Sequence, residues 1–94
     1  MADSILQTEK RCFLCGSYNW LEYHHIFGAA RKKLSEKYGL MVYLCHYCHN
    51  EPPDGVHHNK ESRLYLQRTA QQKAMQYHDL SVEDFIGIFG KNYL

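Results

Sequence analysis

Two Cys-x-x-Cys pairs, Cys12/Cys15 and Cys45/Cys48, stand 29 residues apart and bracket an adjacent histidine doublet, His24-His25. Four soft thiolates complete one closed tetrahedral site, for which zinc is the expected ion, at Zn–S distances of about 2.3 Å. A disulfide pair or a rubredoxin-like iron site would use the same residues. A two-Cys, two-His finger fails on spacing, because eight residues separate Cys15 from His24 and the histidines are adjacent. With 94 residues, the chain reads as one small domain with too little interior for generous stability from burial alone. A structural metal would supply the difference, since its binding free energy becomes folding free energy. The first ten residues lack a basic stretch followed by an apolar run, and nothing approaches the ~20 apolar residues that cross a bilayer. The expectation is therefore a cytoplasmic protein with no membrane partner, where paired cysteines favour metal over disulfides.

Once the thiols are assigned to one site, the histidines call for a second. Five of seven, His24, His25, His49, His57 and His58, lie between or just after the cysteine pairs. Adjacent side chains on a strand point to opposite faces, so one member of the doublet can bind a metal while its neighbour faces the adjoining cleft. That division suits hydrolysis, with an ion stabilising a leaving oxygen and a free imidazole accepting a proton from water. His49 follows a cysteine that the first site would anchor, and His57 could reach back after the Asp54-Gly55 turn. The competing readings are ordinary: a surface His24, a hydrogen-bonded loop His25, a His49 partnering the thiolates and a His57 capping the next helix. His46 and His78 read as exposed and without function.

Residues 1–10 are polar and unpatterned, a frayed lead-in. Trp20 to Tyr23 alternates as a short strand ending in the doublet, and Leu40 to Leu44 reads as a second strand. Arg31 to Tyr38 is helix-compatible, with Gly39 as its stop. Pro52-Pro53 and Asp54-Gly55 mark a loop, after which Asn59 caps a long helix over about residues 60–78 with a buried stripe of Leu66, Ala70, Ala74 and Tyr77. Ser81 to Asp84 has capping-box form and opens a last helix burying Val82, Phe85, Ile86 and Phe89 before Gly90. The aromatics near the end, Tyr93 among them, read as exposed. The formal net charge is only +1, but Arg31, Lys32, Lys33 and Lys37 cluster just after the doublet. Such a patch can hold phosphates, or can be merely a solvated helix face.

The series Cys-x-x-Cys, His-His-Ile-Phe-Gly, Leu-Cys-x-x-Cys-His and Val-His-x-Asn, spread over residues 11–60, resembles the HNH endonucleases, and most closely their short zinc-containing bacteriophage and prophage members. The resemblance implies an α+β protein with the small ββα-metal (His-Me finger) fold, a four-Cys zinc site and C-terminal helices, its core over 11–78 and a helical extension over 79–94. It implies that His25 is the general base and that His24, His49 and, by the form of its motif, His57 hold the catalytic ion, with His58 as the alternative to His57. That ion would be magnesium, manganese, nickel or zinc. The family's middle asparagine, which braces the metal-binding loop from a position before the second cysteine pair, has no counterpart in Tyr38 to Leu44. Bracing would then come from backbone or another side chain, or the site would be weakened. The expected function is metal-dependent hydrolysis of DNA phosphodiesters, with Arg31, Lys32 and Lys33 on neighbouring phosphates. The rival readings are a non-catalytic zinc module that binds nucleic acid or a phage protein, and a nuclease active only beside packaging or recombination proteins.

Overall fold

The β-prone run after Gly39 forms a strand, and it finds its partner in the segment that ends in the histidine doublet. A computed structural model describes residues 3–94. Its elements are β1 (Leu21–His25), a 3-10 turn (Ala29–Arg31), α1 (Lys32–Tyr38), β2 (Met41–Cys45), α2 (His46–Asn50), α3 (Lys60–Tyr77) and α4 (Val82–Phe89). The architecture is α+β, with one antiparallel two-stranded sheet and helices around it. Its register pairs Leu21 with Cys45, Tyr23 with Tyr43 and His25 with Met41. The doublet therefore lies within β1, as its last two residues.

The lead-in is not frayed over the described residues. Ile5 N–H donates to Gly39 O at 2.9 Å, Ser4 Oγ donates to Met41 O, and Gln7 Oε1 accepts from Tyr43 N–H at 2.8 Å. Phe13 N–H completes the cover on Tyr43 O at 2.8 Å. These bonds occupy the edge of β2 that β1 leaves free, a satisfaction that a polar, aperiodic sequence does not advertise. Met1 and Ala2 lie outside the described residues.

The core is built on β2, where Val42 and Leu44 are fully buried with Leu40 just before them. α3 starts where Asn59 accepts from Ser62 N–H, and α4 carries the full capping box between Ser81 and Asp84. α4 brings Phe85 and Phe89 onto Phe27, at ring separations of 5.8 and 4.8 Å. Tyr93, expected to be exposed, packs on Phe27 at 5.2 Å. The side chain of buried Gln71 pins that tail, donating to Asn92 Oδ1 and accepting from Tyr93 N–H. Two other expectations of burial fail, since Gln71 takes an inward position on α3 and Phe85 and Phe89 take those of α4. Tyr77 is 64% exposed, and Ile86 is 40% exposed beside fully buried Phe85. His78, expected to be exposed, is half-buried, with its Nε2 3.0 Å from Tyr38 O, and ties the end of α3 to α1.

Phe85→Ala should cost about 3–5 kcal/mol of unfolding free energy, and Ile86→Ala under about 1 kcal/mol. Urea unfolding of the two variants beside wild type checks the difference.

Candidate metal centres

The first centre begins at a tight turn. Gly16, with φ of +81°, returns the chain after Cys12-x-x-Cys15, and its N–H donates to Cys12 O at 2.9 Å. The second pair straddles the start of α2, where Cys45 Sγ accepts from Cys48 N–H. The sheet register and the Phe13–Tyr43 bond bring the two turns together, and all four sulfurs lie within 4.8 Å of one another. Cys15 Sγ and Cys45 Sγ are 3.7 Å apart. The edge of a tetrahedron with 2.3 Å metal–sulfur bonds is about 3.8 Å, so the donor set fits one metal ion such as zinc.

The thiol chemistry points the same way. Burial opposes a Cys12 thiolate, but N–H groups of Cys45, Cys15 and Leu14 outweigh it and bring this thiol down to about 7. Burial pushes the Cys48 thiol up, and the neighbouring sulfurs add to it. Four anions cannot coexist there without a cation to share.

In the second cluster, His24, His49 and His57 also bring one ring nitrogen each within 4.8 Å of the others. Three segments deliver them. His24 is the buried member of the doublet, 8% exposed at the inner face of β1. His49 lies on α2, directly after Cys48. His57 is returned to it by a closed loop, in which Gly55 N–H donates to Glu51 O, Val56 N–H to Cys48 O and His57 N–H to His49 O. A Cβ on Gly55 would fall 2.7 Å from Glu51 N and 2.8 Å from Glu51 O, so only glycine allows this return. His49 Nε2 and His57 Nε2 face each other at 2.9 Å. This is slightly inside the about 3.3 Å edge expected of two imidazole nitrogens on one tetrahedral ion. His58 is exposed and outside the cluster.

A carboxylate with no part in the sequence reading organises the rear of this cluster. Glu22, on β1, lies 2.8 Å from His49 Nδ1 and 3.1 Å from His46 Nδ1, and accepts from Asn50 Nδ2 at 2.9 Å. Hydrogen bonds from His49 and then His46 hold the Glu22 carboxyl below its ordinary range. An ionised Glu22 accepts the Nδ1–H of His49, which leaves the Nε2 lone pair turned toward His57. His46 is likewise not idle. Its ring is stacked on Trp20 at 4.3 Å, its Nε2 lies 2.9 Å from Glu51, and the Glu22 bond raises its pKa.

His25 emerges on the other face of β1 and lines two clefts together with His24 and His57. Its Nε2 is 2.9 Å from Glu36 Oε1 on α1. One residue earlier, the buried Ser35 hydroxyl accepts from Phe27 N–H at 3.0 Å and donates to Phe27 O at 2.6 Å. Ile26 N–H donates to Leu40 O. The loop after the doublet is thus braced by a serine and by backbone, without an asparagine. Arg31 lines one cleft and Lys32 the other, whereas Lys33 is exposed on α1 and lines neither. Strand periodicity offered a signal for Glu22, two residues before His24 on the same face. Ser35 and Glu36 offered none, since their role depends on how α1 docks.

No helix among the described residues is long and apolar enough to cross a membrane. Comparisons with protein-family models, curated proteins and solved structures returned no match.

Burial first, and then the nearby His49, His57 and His25, lowers His24 from 6.5 to about 3. A depressed folded pKa means that the unfolded chain takes the proton first. The resulting stability is present above pH 6.5 and is lost as pH falls toward 3. Between pH 7 and 5 the loss assigned to His24 is up to about 2 kcal/mol. Urea unfolding over that range should show a shallower decline in His24→Gln than in wild type, the thiol site contributing equally to both.

Proposed function

We propose that the chain is a metal-dependent DNA endonuclease of the HNH type, with His25 as its general base. The observation that carries the reading is the convergence of His24, His49 and His57, with His25 held separately beside them. The succession of β1, connecting loop, β2 and α2 around that cluster is the order a ββα-metal fold requires. The four thiols then act as architecture, in which zinc would fix the segments that carry His24 and His49. Ser35 takes the place of the bracing asparagine.

Three imidazoles suit a divalent ion that keeps open positions. When bound, that ion supplies positive charge to the scissile phosphate and to the departing 3′ oxygen. The protein's own groups do the rest. Glu22 and Asn50 orient His49. Glu36 holds the Nε2–H of His25, which leaves Nδ1 to accept a proton from water. The water oxygen attacks phosphorus in line, the bond to the 3′ oxygen breaks, and the leaving oxygen is protonated from solvent. The imidazolium formed on His25 is stabilised by Glu36, and Arg31 and Lys32 hold the strand by its phosphates.

Plasmid cleavage assayed with magnesium, manganese, nickel and zinc should be found in wild type. His25→Ala should lose about 10²–10⁴-fold in rate while keeping its fold and thiol-bound metal. No cleavage with any ion, with one metal bound per chain, would leave a zinc-stabilised binding module in place of the nuclease. Glu22→Gln should weaken binding of the second ion by about 10–100-fold, read by competition with a chelating dye, and leave the thiol-bound ion in place.

A further inference from the structure

The space beside the three histidines is electrostatically lopsided. Behind His49 stand carboxylates, Glu22 and then Glu51 across His46. Beside His24, His25 and His57 opens a cleft of about 330 Å³ that these three line and whose walls carry no acidic residue, Glu36 reaching only the Nε2 of His25 from α1. Two arginines enter it from different elements, Arg31 from the 3-10 turn and Arg63 from the first turns of α3, with Gln67 one turn further on.

Neither arginine is used up by the fold. Among the described residues, no carboxylate lies within 4.0 Å of Arg31 or Arg63. Arg63 is half-buried and already oriented, since Nη1 donates to Val56 O at 3.2 Å, next to His57. That bond occupies one of its five N–H donors and leaves the rest of the fork free. The Arg31 guanidinium lies against Gly90 at the end of α4, where a Cβ would collide with it. Arg63 and Gln67 are one helical turn apart and share a face of α3.

We propose that Arg63, with Gln67 and Arg31, forms a second phosphate subsite that grips the phosphodiester adjacent to the scissile one. It rests on the nuclease reading, because the scissile phosphate must lie at the histidines for its neighbour to fall in this cleft. An anion is what the unpaired fork selects, and a planar guanidinium engages two phosphate oxygens at once. The amide of Gln67 adds a neutral donor. The grip is independent of base identity and sets the direction in which the strand crosses the site.

The test is equilibrium binding of a fluorescent DNA duplex in calcium, at several salt concentrations, by wild type, Arg63→Gln, Gln67→Ala and the α3 control Lys73→Gln. Arg63→Gln is expected to bind about tenfold more weakly, with a salt slope smaller by about one, and Gln67→Ala more weakly with the slope unchanged. Lys73 is exposed and outside the cleft, so Lys73→Gln should behave as wild type. Duplexes carrying a single neutral methylphosphonate at successive positions then locate the contact. Replacement next to the cleaved bond should weaken wild type, yet cost Arg63→Gln nothing more. If every methylphosphonate costs Arg63→Gln as much as it costs wild type, the subsite is refuted while DNA binding, and with it the nuclease reading, stands. If wild type binds no duplex and cuts no plasmid, both fall. Should Arg63→Gln unfold, Gln67→Ala with the same methylphosphonate series decides between these outcomes.

Discussion

The register of two five-residue strands decides whether this chain has a site. Because side chains alternate along a strand, sliding β1 by one residue against β2 would turn His24 out to solvent and His25 into the interior. It would also part Leu21 from Cys45, and with that pairing the alignment of the first cysteine turn against the second. So short a ladder cannot hold its register alone. The lead-in and the Phe13–Tyr43 link hold β2, and the crowding of four thiols ties its end to the cysteine turn that precedes β1. A metal on the thiols would lock from one end what Leu40, Val42 and Leu44 lock from within.

Given that register, the chemistry follows from how charge is distributed around the imidazoles. Glu22 bonds Nδ1 of His49 and Glu36 bonds Nε2 of His25, so each ring has one nitrogen at a carboxylate. Burial keeps His24 neutral far below neutral pH, as a ligand must be. Arg31, Lys32 and Arg63 line the clefts beside His25 and His57. On the nuclease reading proposed above, a polyanion would enter by these clefts.

Much of this arrangement is legible in the residues alone, and the parts that are not share a cause. The cysteine pairs, the histidine doublet, the Asn59 cap and the Ser81 capping box are local patterns, and each carries its own geometry wherever it occurs. His57 is within reach of a sequence reading because the Asp54-Gly55 turn dictates a return. Ser35, Glu36 and Arg63 are ordinary polar residues whose partners come only from docking, and Glu22 carries no signal beyond its place on the His24 face of the strand. The order of the lead-in is hidden for the same reason, since its bonds to Gly39, Met41 and Tyr43 are made over more than thirty residues of sequence. Tyr77 and Ile86 mark the opposite case, in which helical spacing overstates burial because Gln71 takes an inward position on α3 and Phe85 and Phe89 take those of α4.

The central proposal is that two ion sites stand side by side, one of sulfur and one of nitrogen. Anomalous diffraction from crystals soaked in manganese, collected above the zinc edge and again between the manganese and zinc edges, locates both directly. The predicted result is a zinc peak among Cys12, Cys15, Cys45 and Cys48, and a separate manganese peak among the ring nitrogens of His24, His49 and His57. A single peak at the thiols, with the His49 and His57 rings still bonded to each other, would contradict it.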